Sequence, residues 1–353
     1  MSFALRHGSG RSARGEALGE GVSCRSSYAP RFAALTVLLV VVCVAAAVMG
    51  PSDVNASDLF ALLCGAPLDE GARNILVNVR LPRVAAAALA GCALAAAGAV
   101  IQGVLNNPLA SPNVIGVNAG AGLAVLASAA LFPAAAMLAP VAAFMGALAA
   151  ATAVFLISAG SGASKLAVIL AGMALTAIFG AGMNAVLIVD PDAYVGSSGF
   201  LVGGVAGTRI DALGAPAAGI AAGLAASLLL ARRLDILSLG DAAAHALGVG
   251  VAQSRFACLS VAALLAGSAV SIAGLLGFVG LVVPHLVRYF FGHSSRVVIA
   301  ASALAGASLV VACDLVARVA FAPYEVPVGI LMALLGGPFF IYLVLKAKGA
   351  SNE

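Results

Sequence analysis

Polar side chains are rare within the apolar runs of this sequence. The candidates for chemistry there are Gln102, Asn184, His285 and Asp314. No apolar run contains paired carboxylates, an HExxH pair, or a His, Asp and Glu set of the kind that binds a metal ion or relays protons. His285 follows Pro284, where a histidine is typical of helix packing and of hydrogen bonds to backbone groups that proline frees. The sequence therefore predicts no catalytic residue, no metal site and no cofactor.

A short glycine-rich stretch resembles part of a nucleotide-binding loop. Residues 160–165 read GSGASK, but they lack the GxxxxGK pattern followed by Ser or Thr, because Lys165 is followed by Leu166. The chain is not expected to bind ATP through a P-loop. Active transport would therefore need another polypeptide or an ion gradient. The scarcity of acidic residues in the apolar runs argues against proton or sodium coupling, and an ion-coupled secondary transporter is kept as the alternative.

Two other polar features have structural interpretations. Asp314 and Arg318 are four residues apart and can pair along one helix face. The cysteines lack the close spacing of a disulfide framework or a CxxC metal site, and we interpret them as small packing residues. They are Cys24, Cys43, Cys64, Cys92, Cys258 and Cys313.

Composition indicates that the solvent of this chain is lipid. Of 353 residues, 63% are hydrophobic and 9% are charged, whereas soluble domains are about 45–50% apolar and about 25% charged. So few charges could not cover a soluble protein, and the exposed apolar area would cause aggregation. The same values exclude intrinsic disorder and a nucleic-acid-binding surface. We therefore predict an integral membrane protein.

Ten apolar runs approach the roughly 20 residues that a helix needs to cross the hydrocarbon core. Because lipid offers backbone groups no hydrogen-bond partner, such runs must be helices, and their lack of alternation argues against a β-barrel. The predicted fold class is all-α and polytopic, with about ten transmembrane helices. The runs lie near residues 31–50, 82–105, 114–132, 137–158, 166–188, 212–231, 256–274, 276–291, 297–317 and 326–346.

Small residues in the second run predict close helix packing. Gly91, Ala95, Ala99 and Gly103 recur at every fourth position and share one helix face. Helices in lipid associate through close contact, which small residues allow.

Basic residues predict the orientation, because lysine and arginine are retained in cytoplasmic loops. Ten spans place both termini on one side. With both termini in the cytoplasm, thirteen basic residues lie inside and five outside, and this asymmetry also explains the formal net charge of +4. The outside residues are Arg73, Arg80, Arg83, Arg209 and Arg318.

One ten-helix domain with short tails is expected. Residues 1–30 are basic and rich in Gly and Ser, and we interpret them as a disordered tail. Together with the apolar run that follows they resemble a signal peptide, but we interpret that run as the first span. Residues 31–348 form the transmembrane domain, and residues 349–353 form a C-terminal tail. The outside loop 51–79 contains a short apolar helix that caps the bundle or lies at the interface.

The inside segment 232–255 is too polar to span the membrane. Glycines at Gly240 and at Gly248 to Gly250 divide it into two short helices. A plain connector and a docking surface for a soluble partner would both have this composition.

Several motifs, in this order, are similar to those of one family. They are RLPRVAAAALAGCALAAAGAVIQGVLNNPLASPNVIGVNAGAG at 80–122, GLLGFVGLVVPHLVRYFFG at 274–292, DLVAR at 314–318 and EVPVGILMALLGGPFF at 325–340. From about residue 31 onward, the chain resembles the FecCD-type permeases. These are the membrane subunits of binding-protein-dependent ABC importers for iron-siderophores, haem and cobalamin.

The resemblance implies the type II permease fold in a bacterial inner or plasma membrane. It implies pairing with a second copy or a closely similar permease, with the substrate path along the dimer axis. Two cytoplasmic ABC ATPase subunits would hydrolyse ATP, and an extracytoplasmic binding protein would deliver the ligand. This chain would make no enzymatic change. The expected cargo is an iron complex, with siderophore ranked before haem and haem before cobalamin.

The resemblance also implies roles for individual residues. Arg80, Arg83 and Arg318 would face outward and bind glutamates on the two lobes of the binding protein, and the charge count independently places all three outside. The guanidinium group of arginine can donate two parallel hydrogen bonds to a carboxylate. Two copies related by a twofold axis would present identical arginine clusters to the two lobes. The implied cytoplasmic gate comprises Asn107, Leu109, Ser164 and Lys165. The implied ATPase-coupling residues within 232–255 are Gly240, Asp241, His245, Leu247 and Gly248.

Overall fold

The computed structural model describes residues 28–50, 54–160, 164–320, 322 and 324–350. Within this part of the chain, every regular element is helical. The α-helices are α1 (Ala29–Val48), α2 (Ala56–Cys64), α3 (Glu70–Ile75), α4 (Leu81–Leu105), α5 (Val117–Leu131), α6 (Ala139–Gly160), α7 (Lys165–Val189), α8 (Asp192–Val202), α9 (Gly214–Ser238), α10 (Asp241–Ala246), α11 (Val251–Ala273), α12 (Val279–Phe291), α13 (Ser295–Val319) and α14 (Val328–Ala350). Of the predicted tails, residues 1–27 and 351–353 lie outside the described residues.

All ten predicted runs contain a helix, which confirms the all-α, polytopic fold class. Helices α1, α4, α6, α7, α9, α11 and α13 are long and apolar enough to cross a membrane, and α5, α12 and α14 contain shorter apolar helices. The eighth span begins at Val279 rather than near residue 276. Gly274 and Phe278 both adopt positive φ angles before it, and a Cβ at Gly274 would lie 2.3 Å from the carbonyl oxygen of Phe200.

Helix α4 forms the centre of the bundle and packs against α13, α11, α12 and α9. A Cβ at Gly91 would lie 2.2 Å from the carbonyl oxygen of Gly306 on α13, and one at Gly98 would lie 1.9 Å from that of Gly280 on α12. A Cβ at Gly306 would lie 2.4 Å from the Cβ of Ala95. Gly91 and Ala95 of the predicted small-residue face therefore contact α13, whereas Gly103 lies against Leu234 of α9. Gly98, which lies outside that repeat, approaches α12 more closely than Gly91 approaches α13.

The second span continues beyond its predicted start. A π-helical turn, Leu76–Arg80, joins α3 to α4, so that one helix runs from Glu70 to Leu105. Leu59 of α2 and Leu76 are buried in a small cluster with Ala47, which lies at the end of α1. The predicted outside loop is thus a packed cap over the end of α1.

The polar segment 232–255 has one short helix rather than the predicted two. Helix α9 continues to Ser238 and α11 begins at Val251, because buried Leu234 and Leu237 give the end of α9 an apolar face that still packs on the protein. Residues 239–250, which include α10, are called the connector. The predicted breaks are present, since Gly240 and Gly248 have φ angles of 101° and 74°.

Candidate functional site

Three arginines are buried together at one end of the bundle, the arginine end. Arg80 closes the π-helical turn, Arg83 lies in the first turn of α4, and Arg318 lies in the last turn of α13. Their charges interact with those of Asp314 and Glu325. These five side chains are called the arginine cluster. It brings together all three predicted docking arginines.

Arg80 and Arg318 complete the C-terminus of α1. A helix ends with four carbonyl groups that lack intrahelical donors. Arg318 Nη2 donates to the Ala46 carbonyl at 2.6 Å, and Arg80 Nη1 donates to the Ala47 carbonyl at 2.8 Å. Arg80 Nη1 also donates to the Val48 carbonyl. Because the helix dipole places negative charge at this end, the two guanidinium groups also stabilise α1 electrostatically.

Arg83 is held by two carboxylates of different exposure. Its Nε lies 2.9 Å from Asp314 Oδ2, and its Nη2 lies 3.0 Å from Asp314 Oδ1. Its Nη1 donates to Glu325 Oε2 at 2.7 Å. The Asp314 side chain is 3% exposed, whereas that of Glu325 is 43% exposed. The bond to Asp314 therefore belongs to the core of the bundle, and the bond to Glu325 lies at its surface.

The predicted pair between Asp314 and Arg318 is wrong. Among the described residues, Asp314 forms its ion pair with Arg83, while Arg318 bonds to α1 and its Nε has no hydrogen-bond partner. Arg83 approaches from the facing helix α4 and offers Nε and Nη2 as two parallel donors to Asp314. The sequence spacing placed Asp314 and Arg318 on one face of α13, but it could not show that α4 packs against that face.

A cavity of about 320 Å³ opens beside the arginine cluster. Arg83, Asp314 and Glu325 form its charged wall. The remaining wall is mainly apolar or small, and comes from the segment that follows α8, from the end of α11 and from the start of α14. Carboxylate and guanidinium groups of the cluster thus border a space that reaches the surface.

The opposite end of the bundle, the connector end, contains a polar contact that the sequence did not reveal. Gln102 Nε2 donates to the Gly280 carbonyl at 3.2 Å, and Arg288 donates to Gln102 Oε1. Pro284 lacks the N–H that would bond to Gly280 within α12, so Gln102 satisfies the freed carbonyl. A cavity of about 410 Å³ adjoins these groups and also exposes Asn107.

The predicted gate residues lie on two short segments. Asn107 Oδ1 accepts a hydrogen bond from the Leu109 backbone N–H at 2.9 Å and so shapes the turn after α4. Ser164 Oγ accepts from the Ala167 N–H at 3.1 Å and caps α7, whose first residue is Lys165. Residues 161–163 of the predicted gate loop lie outside the described residues. The gate assignment stays a prediction.

The connector is attached firmly to the bundle. Buried Arg255 on α11 donates from Nη2 to Asp241 Oδ1 at 2.9 Å, and Leu237, Ala244 and Val251 form a small core beneath α10. His245 and Leu247 are exposed.

Asp235, near the end of α9, adds a link that the sequence did not indicate. Its Oδ1 accepts from the Ser295 N–H, at the start of α13, at 2.8 Å. A force on the connector would therefore reach α9, α11 and α13.

These features define a multi-pass helical membrane protein with a charged cluster at one end and the connector, anchored by an ion pair and a small core, at the other. A family model described as the FecCD transport family matches residues 38–346. The chain is 37% identical over 320 residues to the hemin transport system permease protein HmuU of Yersinia pestis, covering 89% of this chain and 95% of HmuU. It is 35% identical over 311 residues to the Fe(3+)-citrate import system permease protein YfmE of Bacillus subtilis, covering 88% and 93%.

A solved structure has the same fold. It is a metal-chelate type ABC transporter in an inward-facing conformation, with a TM-score of 0.79 and 30% sequence identity, covering 90% of this chain and 99% of that one.

The chain belongs to the FecCD transport family. It is a multi-pass inner-membrane permease of an ABC importer and not an enzyme, which implies ATPase and binding-protein partners.

Proposed function

We propose that this permease imports an iron complex of the siderophore class, by alternating access driven by a separate ATPase. Family membership over residues 38–346 is the observation that carries the proposal. Relatives named for hemin, Fe(3+)-citrate and cobalamin import match at 35–39% identity, so identity alone does not select the cargo.

The cargo can be determined through the binding protein encoded with this permease. A ferric hydroxamate siderophore, haem and cobalamin are added separately to that purified binding protein, and its thermal unfolding is followed. We expect the siderophore to raise the midpoint most, because ligand bound only to the folded state stabilises it by mass action. A shift with haem or cobalamin alone would contradict the siderophore assignment.

The arginine end is proposed to be extracytoplasmic, with both termini and the connector in the cytoplasm. The distribution of basic residues supports this orientation. Arg232, Arg233 and Arg296 are exposed at the connector end. The binding protein would then dock over the arginine cluster.

Two copies of the chain, or this chain and a similar permease, are proposed to enclose the substrate path along α7. An exposed stripe on this helix runs from Leu166 through Met173 and Ala181 to Ile188 and includes Asn184. An amide in contact with lipid is unfavourable, whereas a second copy or an aqueous path would accept it. Contact between two such stripes would place the path on a twofold axis.

The proposed cytoplasmic gate consists of Asn107, Leu109, Ser164 and Lys165. A Cβ at Gly172 of α7 would lie 1.8 Å from the carbonyl oxygen of Val114, so α7 rests on the chain that follows the Asn107 turn. Rocking of α7 would then move both halves of the gate. Closure by helix movement is a known class of transition.

The connector is proposed to dock on the ATPase through the exposed side of α10 and its flanking turns. Gly240 and Gly248 shape the turns, Asp241 anchors α10 to Arg255, and His245 and Leu247 form the exposed surface. Two copies would engage two ATPase subunits.

Leu247→Asp is expected to lower the affinity for the ATPase about tenfold or more, because a charge would replace an apolar side chain at the contact. Leu247 is 61% exposed, so the variant should fold normally. Leu63→Asp is the matched control, since Leu63 is 77% exposed at the arginine end. Pull-down of the purified ATPase measures the effect. Equal binding by both variants would show that α10 is not the docking site.

A further inference from the structure

We propose that Glu325 occupies the place of a binding-protein carboxylate on Arg83, and that docking exchanges one carboxylate for the other. The inference rests on the proposed docking at the arginine cluster and adds a mechanism to it. It names Arg83 Nη1 as the atom that would receive the binding-protein carboxylate.

The two bonds of Arg83 differ in the way that an exchange requires. Asp314 binds Nε and Nη2 with a side chain that is 3% exposed, so it holds the guanidinium in place. Glu325 binds only Nη1 and is 43% exposed. A carboxylate arriving from solvent can therefore replace Glu325 without moving Arg83. The displaced Glu325 carboxylate would be solvated, because its side chain is already partly exposed to water.

The electrostatics of the cluster favour an incoming anion. Arg318 donates to an uncharged carbonyl group of α1, and its Nε has no hydrogen-bond partner among the described residues. Asp314 and Glu325 therefore act on Arg318 as well as on Arg83. Since buried charges are screened weakly, Arg318 adds to the attraction of Arg83 for a further carboxylate.

Exchange would also change a contact between two segments of the permease. Glu325 lies three residues before α14, and its bond to Arg83 ties that segment to α4. Docking would break this tie and free the segment before the last span. Glu325 thus restrains the permease until a binding protein is present.

The first test uses the full chain in detergent, without a partner. Arg83 is modified with p-hydroxyphenylglyoxal, and peptide mapping by mass spectrometry follows its rate. Glu325→Gln and Glu325→Ala should each increase the rate severalfold, because the charged partner of Nη1 is gone. Asp211→Asn is the control. It removes an Arg-paired carboxylate at the same end, where Asp211 bonds to Arg209 at 3.1 Å. An unchanged rate in both Glu325 variants would overturn the exchange.

The second test measures affinity for the binding protein that supports uptake in reconstituted vesicles. Glu325→Gln should bind it about two- to fivefold more tightly, the range expected for one half-exposed ion pair. Asp211→Asn should bind as the wild type does. Unchanged or weaker binding by Glu325→Gln would overturn the exchange.

A double variant, Arg83→Met with Asp314→Leu, separates the exchange from the docking on which it rests. Wild-type affinity in the folded double variant would contradict docking at the cluster. Loss of affinity there, together with unchanged affinity in Glu325→Gln, would contradict the exchange alone.

Discussion

Asp314→Asn is expected to lower the free energy of unfolding by about 3–5 kcal/mol, because it leaves the buried guanidinium of Arg83 without its main counter-ion. The asparagine side chain retains a hydrogen-bond acceptor but carries no charge. Glu325 cannot compensate fully, since it contacts a single nitrogen of Arg83 at the surface. Titration with sodium dodecyl sulfate in mixed micelles measures the change.

Asp211→Asn is the control for loss of a carboxylate. Its ion pair with Arg209 is exposed on both sides, at 61% and 73%, so its removal should cost no more than about 1 kcal/mol. Replacing both buried charges, with Arg83→Met and Asp314→Leu, should recover most of the lost stability, because apolar residues of similar volume need no counter-ion. A loss below about 1 kcal/mol in Asp314→Asn would contradict the buried pair.

Gly98→Ala is the second change with a large expected effect. Its Cβ would lie 1.9 Å from the carbonyl oxygen of Gly280 and 2.5 Å from the Gly280 Cα, so α4 and α12 would have to separate. Overpacking of side chains usually costs about 1–3 kcal/mol. Here both contacts are backbone and cannot change rotamer, so a loss at or above the top of that range is expected. The folded fraction on size-exclusion chromatography and the thermal midpoint measure it.

Gly196→Ala supplies the matched control. Gly196 lies within α8, and no atom is within 4 Å of its Cβ position. Alanine is favoured over glycine in helices by about 1 kcal/mol, so this variant should be as stable as the wild type or slightly more so. Similar losses in the two glycine variants would show that α4 and α12 do not pack backbone to backbone.

Much of the fold could be predicted from the sequence, because lipid permits few solutions. A long apolar run must be a helix, and each of the ten predicted runs contains one, seven of which are long and apolar enough to cross a membrane. It could not locate the end of α9 or the start of α11, since Leu234, Leu237 and Val251 continue a buried apolar face beyond the predicted runs. Hydropathy measures the length of membrane crossed, whereas burial against protein decides where the helix ends.

The site was predicted less completely. Arg80, Arg83 and Arg318 were identified as one group, and they lie together. Their partners were not identified from the sequence. Asp314 is 231 residues from Arg83 in the chain, and the acceptors on α1 are backbone carbonyl groups, which every residue type has. Gln102 was recognised only as an intramembrane polar residue. Pro284 was the available signal, since it frees the Gly280 carbonyl that Gln102 satisfies.

The central claim is that this permease has no motor of its own and moves its cargo only when a separate ATPase hydrolyses ATP. Uptake of a radioactive ferric siderophore is measured in proteoliposomes that contain the permease, its ATPase and its binding protein. We expect uptake with the active ATPase, and none when a catalytic substitution in the ATPase abolishes hydrolysis. Uptake that persists with the inactive ATPase, or that the permease alone supports and an ionophore abolishes, would contradict the claim.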